Sequence, residues 1–362
     1  MSVRAFASTL VILAGLVACK SSQQQTAEES PTAPNQTVVI ESNGTVQAPA
    51  RAVPVSTFLS PQAQAYMTRH LQDMQNPKML ESNNGVPSFL QPYLERDTQQ
   101  FALSRTDEKI GGVHVYVYVP KTGIAPDNRR RVLINLHGGG FSGCWPACAE
   151  LESMPISALM RIKVVTVDYR EGPAFKFPVA SEDVANVYKT LLKTYPAKNI
   201  GIYGCSAGGM QTAMSLAWFQ AHGLPTPGAD GIFCASAGDF GGDATYIAFP
   251  LGEARMPASG GVNQQRLGYL SDANMNDPLV HPAVSPAVLA KFPPTLILTA
   301  TRDFALSGAI HTDLLLTQAG VDSELHVWDG LFHGFFYNSD VPESRQAFGI
   351  IDKFFEKHLG NN

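Results

Sequence analysis

From about residue 111 onward, short apolar runs rich in β-branched residues alternate with stretches of helical periodicity. Residues 113–119 alternate apolar and polar positions as a half-buried strand does. The runs 131–136, 163–168, 199–203, 231–235 and 294–299 are apolar almost throughout and of buried-strand length. Helical spacing fills much of what lies between them, as at 181–195 and 208–222. Strands apolar on both sides, interleaved with helices, predict an α/β fold with a mostly parallel sheet covered on both faces. Ligands on such sheets bind beyond the carboxyl ends of the strands, so the chemistry is expected there. No repeat of solenoid period is visible.

Upstream the pattern differs. Ser60-Pro61 reads as an N-cap followed by proline at the first helical position. Ala63, Met67, His70, Leu71 and Met74 then recur at helical spacing. The stretch up to about Phe101 is punctuated by prolines and is expected to be helical in pieces. This gives a helical cap over 52–105 and an α/β domain over 106–362. Residues 20–51 are rich in Ser, Gln, Thr, Glu, Pro and Asn. Such a composition cannot bury enough surface to offset its ordering entropy, and it predicts a flexible tether with ends roughly 30 Å apart.

The first residues form another pattern again. Arg4 precedes an apolar run over 5–18 of export-signal length, so 1–18 is expected to be a signal peptide. The run closes in Leu16-Val17-Ala18-Cys19, which resembles a bacterial lipobox. Cys19 is then a lipidation candidate, and the protein an exported, membrane-anchored lipoprotein on the periplasmic or cell-surface side. Two or three acyl chains hold where a single chain is marginal. The alternative is an ordinary secretory signal that contains a cysteine. No apolar run reaches the roughly 18 residues that span a bilayer.

Composition narrows the picture further. With 44% hydrophobic and 16% charged residues, a sizeable core is available and wholesale disorder is excluded. A net charge of -5 gives no electrostatic reason to expect a nucleic acid. Cys144 and Cys148 are spaced either to close a short loop as a disulfide or to remain two thiols in that loop. Cys205 and Cys234 lie in apolar strand-like runs and read as inert core residues.

Gly204-Cys205-Ser206-Ala207-Gly208 fits G-x-S-x-G, a weak signal in isolation. Its context strengthens it, because an apolar strand runs straight into it and an Ala/Met/Leu helix follows. That strand, turn and helix is what a nucleophile elbow requires. His137-Gly138-Gly139-Gly140-Phe141 follows the strand 132–136. Side-chain-free glycines there can offer backbone N–H groups to a developing oxyanion. Residues 138–143 also match the dinucleotide fingerprint G-x-G-x-x-G, with Asp168 ending the next strand. That fingerprint needs a helix to start within the motif, and 144–148 reads as a loop instead. His137 itself reads as a hydrogen bonder that fixes the loop.

Nine histidines are present, so position decides among them. His326 falls within a strand, His311 on a helix and His358 near the end of the last helix, whereas His333 lies in a glycine-flanked loop just past the run 325–328. Asp303 follows the strand 295–300 at its carboxyl end. Asp272 and Asp277 are rival acids in a loop-rich insert with no strand before them. The order Ser206, Asp303, His333 is that of α/β hydrolases and not of chymotrypsin or subtilisin.

Together these motifs resemble the hormone-sensitive-lipase-like family of bacterial esterases and lipases, over roughly 110–359. The resemblance implies an α/β-hydrolase fold with a helical N-terminal cap, and a serine carboxylesterase or lipase acting on small-molecule esters or lactones. It makes Ser206 the nucleophile, His333 the general base and Asp303 the residue orienting the imidazole. The oxyanion donors become the backbone N–H groups of Gly139, Gly140 and Ala207. Asp168-Tyr169-Arg170 matches the start of a structural stretch of the family. The chain departs from the pattern at Glu171-Gly172-Pro173, at Cys205 where Asp is common, and at Phe304-Ala305-Leu306 after the acid. No metal or organic cofactor is implied. Rival readings are a peptidase or amidase of the same fold, and a non-catalytic surface lipoprotein that binds an ester-like ligand. Phe141, Trp145 and Phe335 are candidates for the substrate pocket, or equally for core and cap packing.

Overall fold

A computed structural model describes residues 37–83, 86–256 and 268–360 of the 362-residue chain. The signal segment and Cys19 therefore lie outside the described residues. The chain divides into two units, 1–53 and 54–362.

In the first unit, the stretch expected to be an unstructured tether carries a short antiparallel hairpin, β1 (Val39–Ile40) and β2 (Val46–Gln47). Its turn is local chemistry: the Asn43 side chain accepts from the Thr45 N–H, and Gly44 takes a φ of +87°. The strand side chains are exposed, so the hairpin gains nothing from burial.

The second unit opens with the cap: α1 (Pro61–Met74), α2 (Pro77–Leu80), β3 (Ser82–Asn83), β4 (Val86–Pro87) and α3 (Gln91–Gln100). As the sequence predicts, Ser60 caps α1 by accepting from the Ala63 N–H, with Pro61 in the first turn. Ala63, Tyr66, Met67, His70 and Met74 form the buried face of α1, while Leu71 is half-buried at its margin. The sheet follows: β5 (Leu103–Ile110), β6 (Val113–Pro120), β7 (Val132–Leu136), then α4 (Ala147–Met160), β8 (Lys163–Val167) and α5 (Val179–Leu191). After these come β9 (Ile200–Cys205), α6 (Ala207–Ala221), β10 (Ala229–Phe233), α7 (Ala244–Glu253) and α8 (Pro286–Leu289). The last elements are β11 (Thr295–Arg302), α9 (Leu306–Gln318), β12 (Ser323–Phe332) and α10 (Pro342–His358).

Eight strands form one sheet in the order β12-β11-β10-β9-β7-β8-β6-β5. The six from β12 to β8 are parallel, and β6 and β5 close the edge antiparallel. Strand β5 straddles the boundary expected between 105 and 106. Its sequence, LSRTDEKI, is polar and its side chains are largely exposed at the sheet edge, so hydrophobic pattern gives no sign of it. The Gly111-Gly112 turn joins it to β6, both glycines having positive φ.

Alternation along the strands divides the core between the two faces. Ile134, Leu136, Ile202 and Ile297 pack on the side of α5, α6 and α9, with Ala185, Met214 and Leu316. Leu133, Tyr203, Leu296 and Leu298 pack on the other side, against Leu151 of α4, Phe354 of α10 and Met67 of the cap. The cap is thus continuous with one of the two core layers, which fixes it over the carboxyl end of the sheet.

Candidate active site

Ser206 stands between the last residue of β9 and the first of α6. Its φ of +59° and ψ of -124° put a non-glycine residue in a strained conformation, held by its N–H donating to Phe233 O at 2.8 Å. The flanking glycines are steric necessities. A Cβ on Gly204 would lie 2.2 Å from Leu136 O, and one on Gly208 would lie 1.8 Å from the same atom. The turn can pass this close to β7 only without side chains.

Asp303 and His333 follow the ends of neighbouring strands β11 and β12. His333 Nδ1 lies 2.8 Å from Asp303 Oδ1. Asp303 is fully buried and also accepts from Thr299 Oγ1 and the Ala305 N–H, each at 2.9 Å. Burial works against its charge, but the His333 charge and these hydrogen bonds outweigh it and hold the carboxyl below its ordinary value. For His333, burial likewise opposes the charged form, and Asp303 overcomes it, raising the imidazole above its ordinary value. Phe304 stacks on the ring at 4.2 Å between centroids. With Nδ1 engaged by Asp303, Nε2 is the nitrogen left for the cavity.

That cavity, about 440 Å³, has Ser206, His333, Gly139 and Gly140 among its lining residues. Gly139 and Gly140 both have positive φ, and a Cβ on Gly139 would lie 2.0 Å from Gly143 O. The Gly138 N–H is taken by Glu152 Oε1 at 2.9 Å. The N–H groups of Gly139 and Gly140 have no protein acceptor among the described residues. Ala207 begins α6, so its N–H is one of the first-turn donors that a helix cannot satisfy internally. The structure thus brings Ser206, Asp303, His333, Gly139, Gly140 and Ala207 to one end of the sheet.

His137 behaves as expected of a loop-fixing residue. It is buried, its Nδ1 lies 2.7 Å from Gly138 O, and burial lowers its pKa to about 4. Tyr169 stacks on it and donates its hydroxyl to His137 O at 2.6 Å. Asp168 is paired with His114 Nδ1 at 2.7 Å, and α4 begins only after the glycine motif. Both facts go against the dinucleotide reading. Cys144 and Cys148 form a disulfide that lines the cavity. The segment 144–148, expected to be a loop, already holds the start of α4 at Ala147. Asp272 is exposed beside Lys176, and Asp277 accepts from the Leu279 N–H in a turn. Neither lines the cavity.

The aromatic pocket candidates fall elsewhere. Phe141 is buried against Tyr269, Trp145 packs on His137 and Tyr116, and Phe335 is buried beside Trp328. The cavity wall comes instead from Tyr66, Met74, Phe89 and Leu90 of the cap, with Phe304 and Phe332. Near neighbours in sequence point to opposite sides of a loop or strand, and pattern does not say which side meets the ligand.

Glu152 is a structural surprise. Fully buried on α4, its carboxylate accepts from Gly138 N–H, Tyr337 OH, Asn135 Nδ2 and Cys205 N–H. It ties together the glycine loop, the strand before Ser206 and the segment after His333. Burial raises its pKa to about 7 despite those four donors. The remaining cluster of metal-ligating groups among the described residues is Cys234, Asp303 and His333, whose ligand atoms lie within 4.8 Å of one another. Burial holds the Cys234 thiol well above its ordinary pKa, and its sulfur accepts from the Gly334 N–H. A protonated thiol is a poor ligand, and Asp303 is already engaged by three donors, so this cluster fits the hydrolytic arrangement better than a metal centre.

Over residues 133–337 the chain matches the family described as alpha/beta hydrolase fold, and it belongs to that family. Among known proteins it is similar to an acetyl-hydrolase of Streptomyces hygroscopicus, 25% identical over 239 residues, or 64% of this chain and 77% of that protein. It is also similar to the carboxylesterase/phospholipase LipF of Mycobacterium tuberculosis, 26% identical over 254 residues, or 64% of this chain and 63% of that protein. Of solved structures, esterase E25 superposes with a TM-score of 0.74 at 26% identity, over 87% of this chain and 99% of that one. An esterase of the bacterial hormone-sensitive lipase family shares the fold, with a TM-score of 0.69 at 24% identity over 83% of this chain and 99% of that one.

Proposed function

We propose that the protein is a serine carboxylesterase that hydrolyses small carboxylic esters or lactones through an acyl-enzyme. The observation that carries this reading is His333, held by buried Asp303 at a cavity that also contains Ser206 and the glycine loop. In the proposed mechanism the Ser206 oxygen adds to the ester carbonyl carbon while His333 Nε2 takes its proton. The carbonyl oxygen becomes an anion facing the N–H groups of Gly139, Gly140 and Ala207. The bond to the leaving oxygen then breaks, and His333 returns the proton to the departing alcohol. Water repeats the addition on the acyl group, His333 again taking the proton, and the carboxylic acid leaves with Ser206 restored.

A fluorophosphonate probe is expected to label Ser206 and to block hydrolysis of nitrophenyl butyrate. Ser206→Ala should fold, escape labelling and lose turnover by at least about 10³-fold. Turnover by this variant at the native rate would sink the assignment, and efficient cleavage of amides over matched esters would redirect it to an amidase. The sequence Leu16-Val17-Ala18-Cys19 further supports the proposal that the protein is exported and anchored to a membrane through lipid on Cys19.

A further inference from the structure

Most of the cavity wall is aromatic or aliphatic, yet one carboxylate lines it beside His333: Glu253, the last residue of α7. The site is unfavourable for a charge of this sign. Burial raises the Glu253 pKa above its ordinary value, against the pull of His333 and Arg255, while Asp303 repels it. It also stands at the carboxyl end of a helix, where the backbone already presents negative partial charge. Two other polar side chains of the cavity wall, Tyr337 and His70, are engaged. Tyr337 OH donates to Glu152 at 2.7 Å, and His70 Nε2 lies 2.9 Å from Gly252 O. Among the described residues, no hydrogen bond or ion pair holds the Glu253 carboxylate. Half-buried and facing the cavity, this acceptor is open to a partner that enters there.

We propose that Glu253 is a specificity residue that accepts a hydrogen bond from an O–H or N–H carried by the substrate, so that the protein favours donor-bearing esters over apolar ones of the same shape. The inference rests on the ester-hydrolase reading above. When an ester fills the cavity, it displaces the water that solvates this carboxylate. An apolar substrate leaves the acceptor dry and unpaired, whereas a donor replaces the lost water. Discrimination of this kind comes chiefly from the penalty on the wrong substrate, and a site built around a polar contact rejects the analogue lacking it far more strongly than an apolar pocket rejects a missing methylene.

The test uses two pairs of isosteric esters. In one, 2-hydroxyethyl butyrate is compared with propyl butyrate. In the other, 2-(dimethylamino)ethyl butyrate, cationic at neutral pH with one N–H, is compared with 3-methylbutyl butyrate. In the native protein at least one pair is expected to show a kcat/KM ratio of about tenfold or more in favour of the donor. The hydroxyl pair reports a neutral donor and the amine pair a cationic one, and either supports the proposal. Glu253→Met keeps the side-chain length and removes the acceptor, and it should bring that ratio close to one. Because it also removes an unfavourable charge, its melting temperature should equal or exceed that of the native protein. Native ratios near one in both pairs would overturn the proposal without recourse to any variant. So would a Glu253→Met protein that slows both members of a pair alike and keeps their ratio, since the carboxylate would then act through His333. If no ester is turned over and the fluorophosphonate fails to label Ser206, the hydrolase reading itself is overturned and this inference falls with it. Labelling with equal turnover of both members overturns the inference only.

Discussion

His333 has to be neutral to take a proton from Ser206, so its titration sets the acid limit of turnover. Burial favours the neutral ring, but the Asp303 charge and hydrogen bond dominate, so the pKa lies above 6.5. Activity should therefore fall as pH drops through a value higher than that of a free imidazole, which a kcat/KM profile from pH 5 to 9 measures. Asp303→Asn should shift that acid limb downward and lower kcat by about 10⁴-fold. The same pair affects stability in opposite senses. The raised His333 contributes stability in full below pH 6.5, lost as pH climbs through its folded value. Asp303, depressed, contributes above pH 3.8 and loses that contribution as pH falls through its folded value. At this scale the sequence was informative for residues whose place is announced by glycines or a strand end, as at Ser206, Asp303 and His333. It was silent on Glu152, Glu253 and Phe304. Their roles come from what tertiary packing sets beside them, and an acid in Ala-Glu-Leu-Glu looks like any other surface helical acid.

Among the elements, α4 has the widest reach, because its Glu152 holds three segments of the site from behind. Glu152→Ala would leave buried donors of Asn135, Gly138, Cys205 and Tyr337 without their acceptor. The expected cost is about 3 kcal/mol or more, read as a fall in melting temperature of roughly 5 °C or more. Turnover should fall as well, since Gly138 adjoins Gly139 in the loop. A variant with native stability and native rate would show that the carboxylate holds nothing in place. The sheet's parallel strands were legible because each is apolar on both faces. Strand β5 was not, since only its pairing to β6 makes it a strand. The aromatic candidates, open in the sequence between pocket and packing roles, fall to packing because Phe141 and Trp145 turn away from the cavity that their own loop borders. The disulfide, left open by spacing, is settled by α4 starting inside its loop and bringing Cys148 back toward Cys144.

For the molecule as a whole, the fold class and the presence of a cap followed from pattern, while the strand order and the cap's contribution to the cavity wall did not. Both depend on contacts between residues hundreds of positions apart, which no local periodicity encodes. The lipid-anchor proposal belongs to this scale too. In a bacterial host the full-length protein should take up radiolabelled palmitate and sediment with membranes, and Cys19→Ala should abolish the label. Label retained by that variant would exclude Cys19 as the anchor. The cap also meets residues far along the polypeptide. Ser60 donates through its N–H and hydroxyl to Glu343 at the head of α10, and Arg302 donates to Pro54 O at 2.6 Å. Phe332, at the end of β12, stacks on His70 of α1 with ring centroids 3.5 Å apart. During synthesis the cap is made before these partners, which lie more than two hundred residues further along the chain. A chain that has not yet added β12 and α10 consequently holds a cap without these anchors, and the capacity to take in a substrate arrives with that strand and helix.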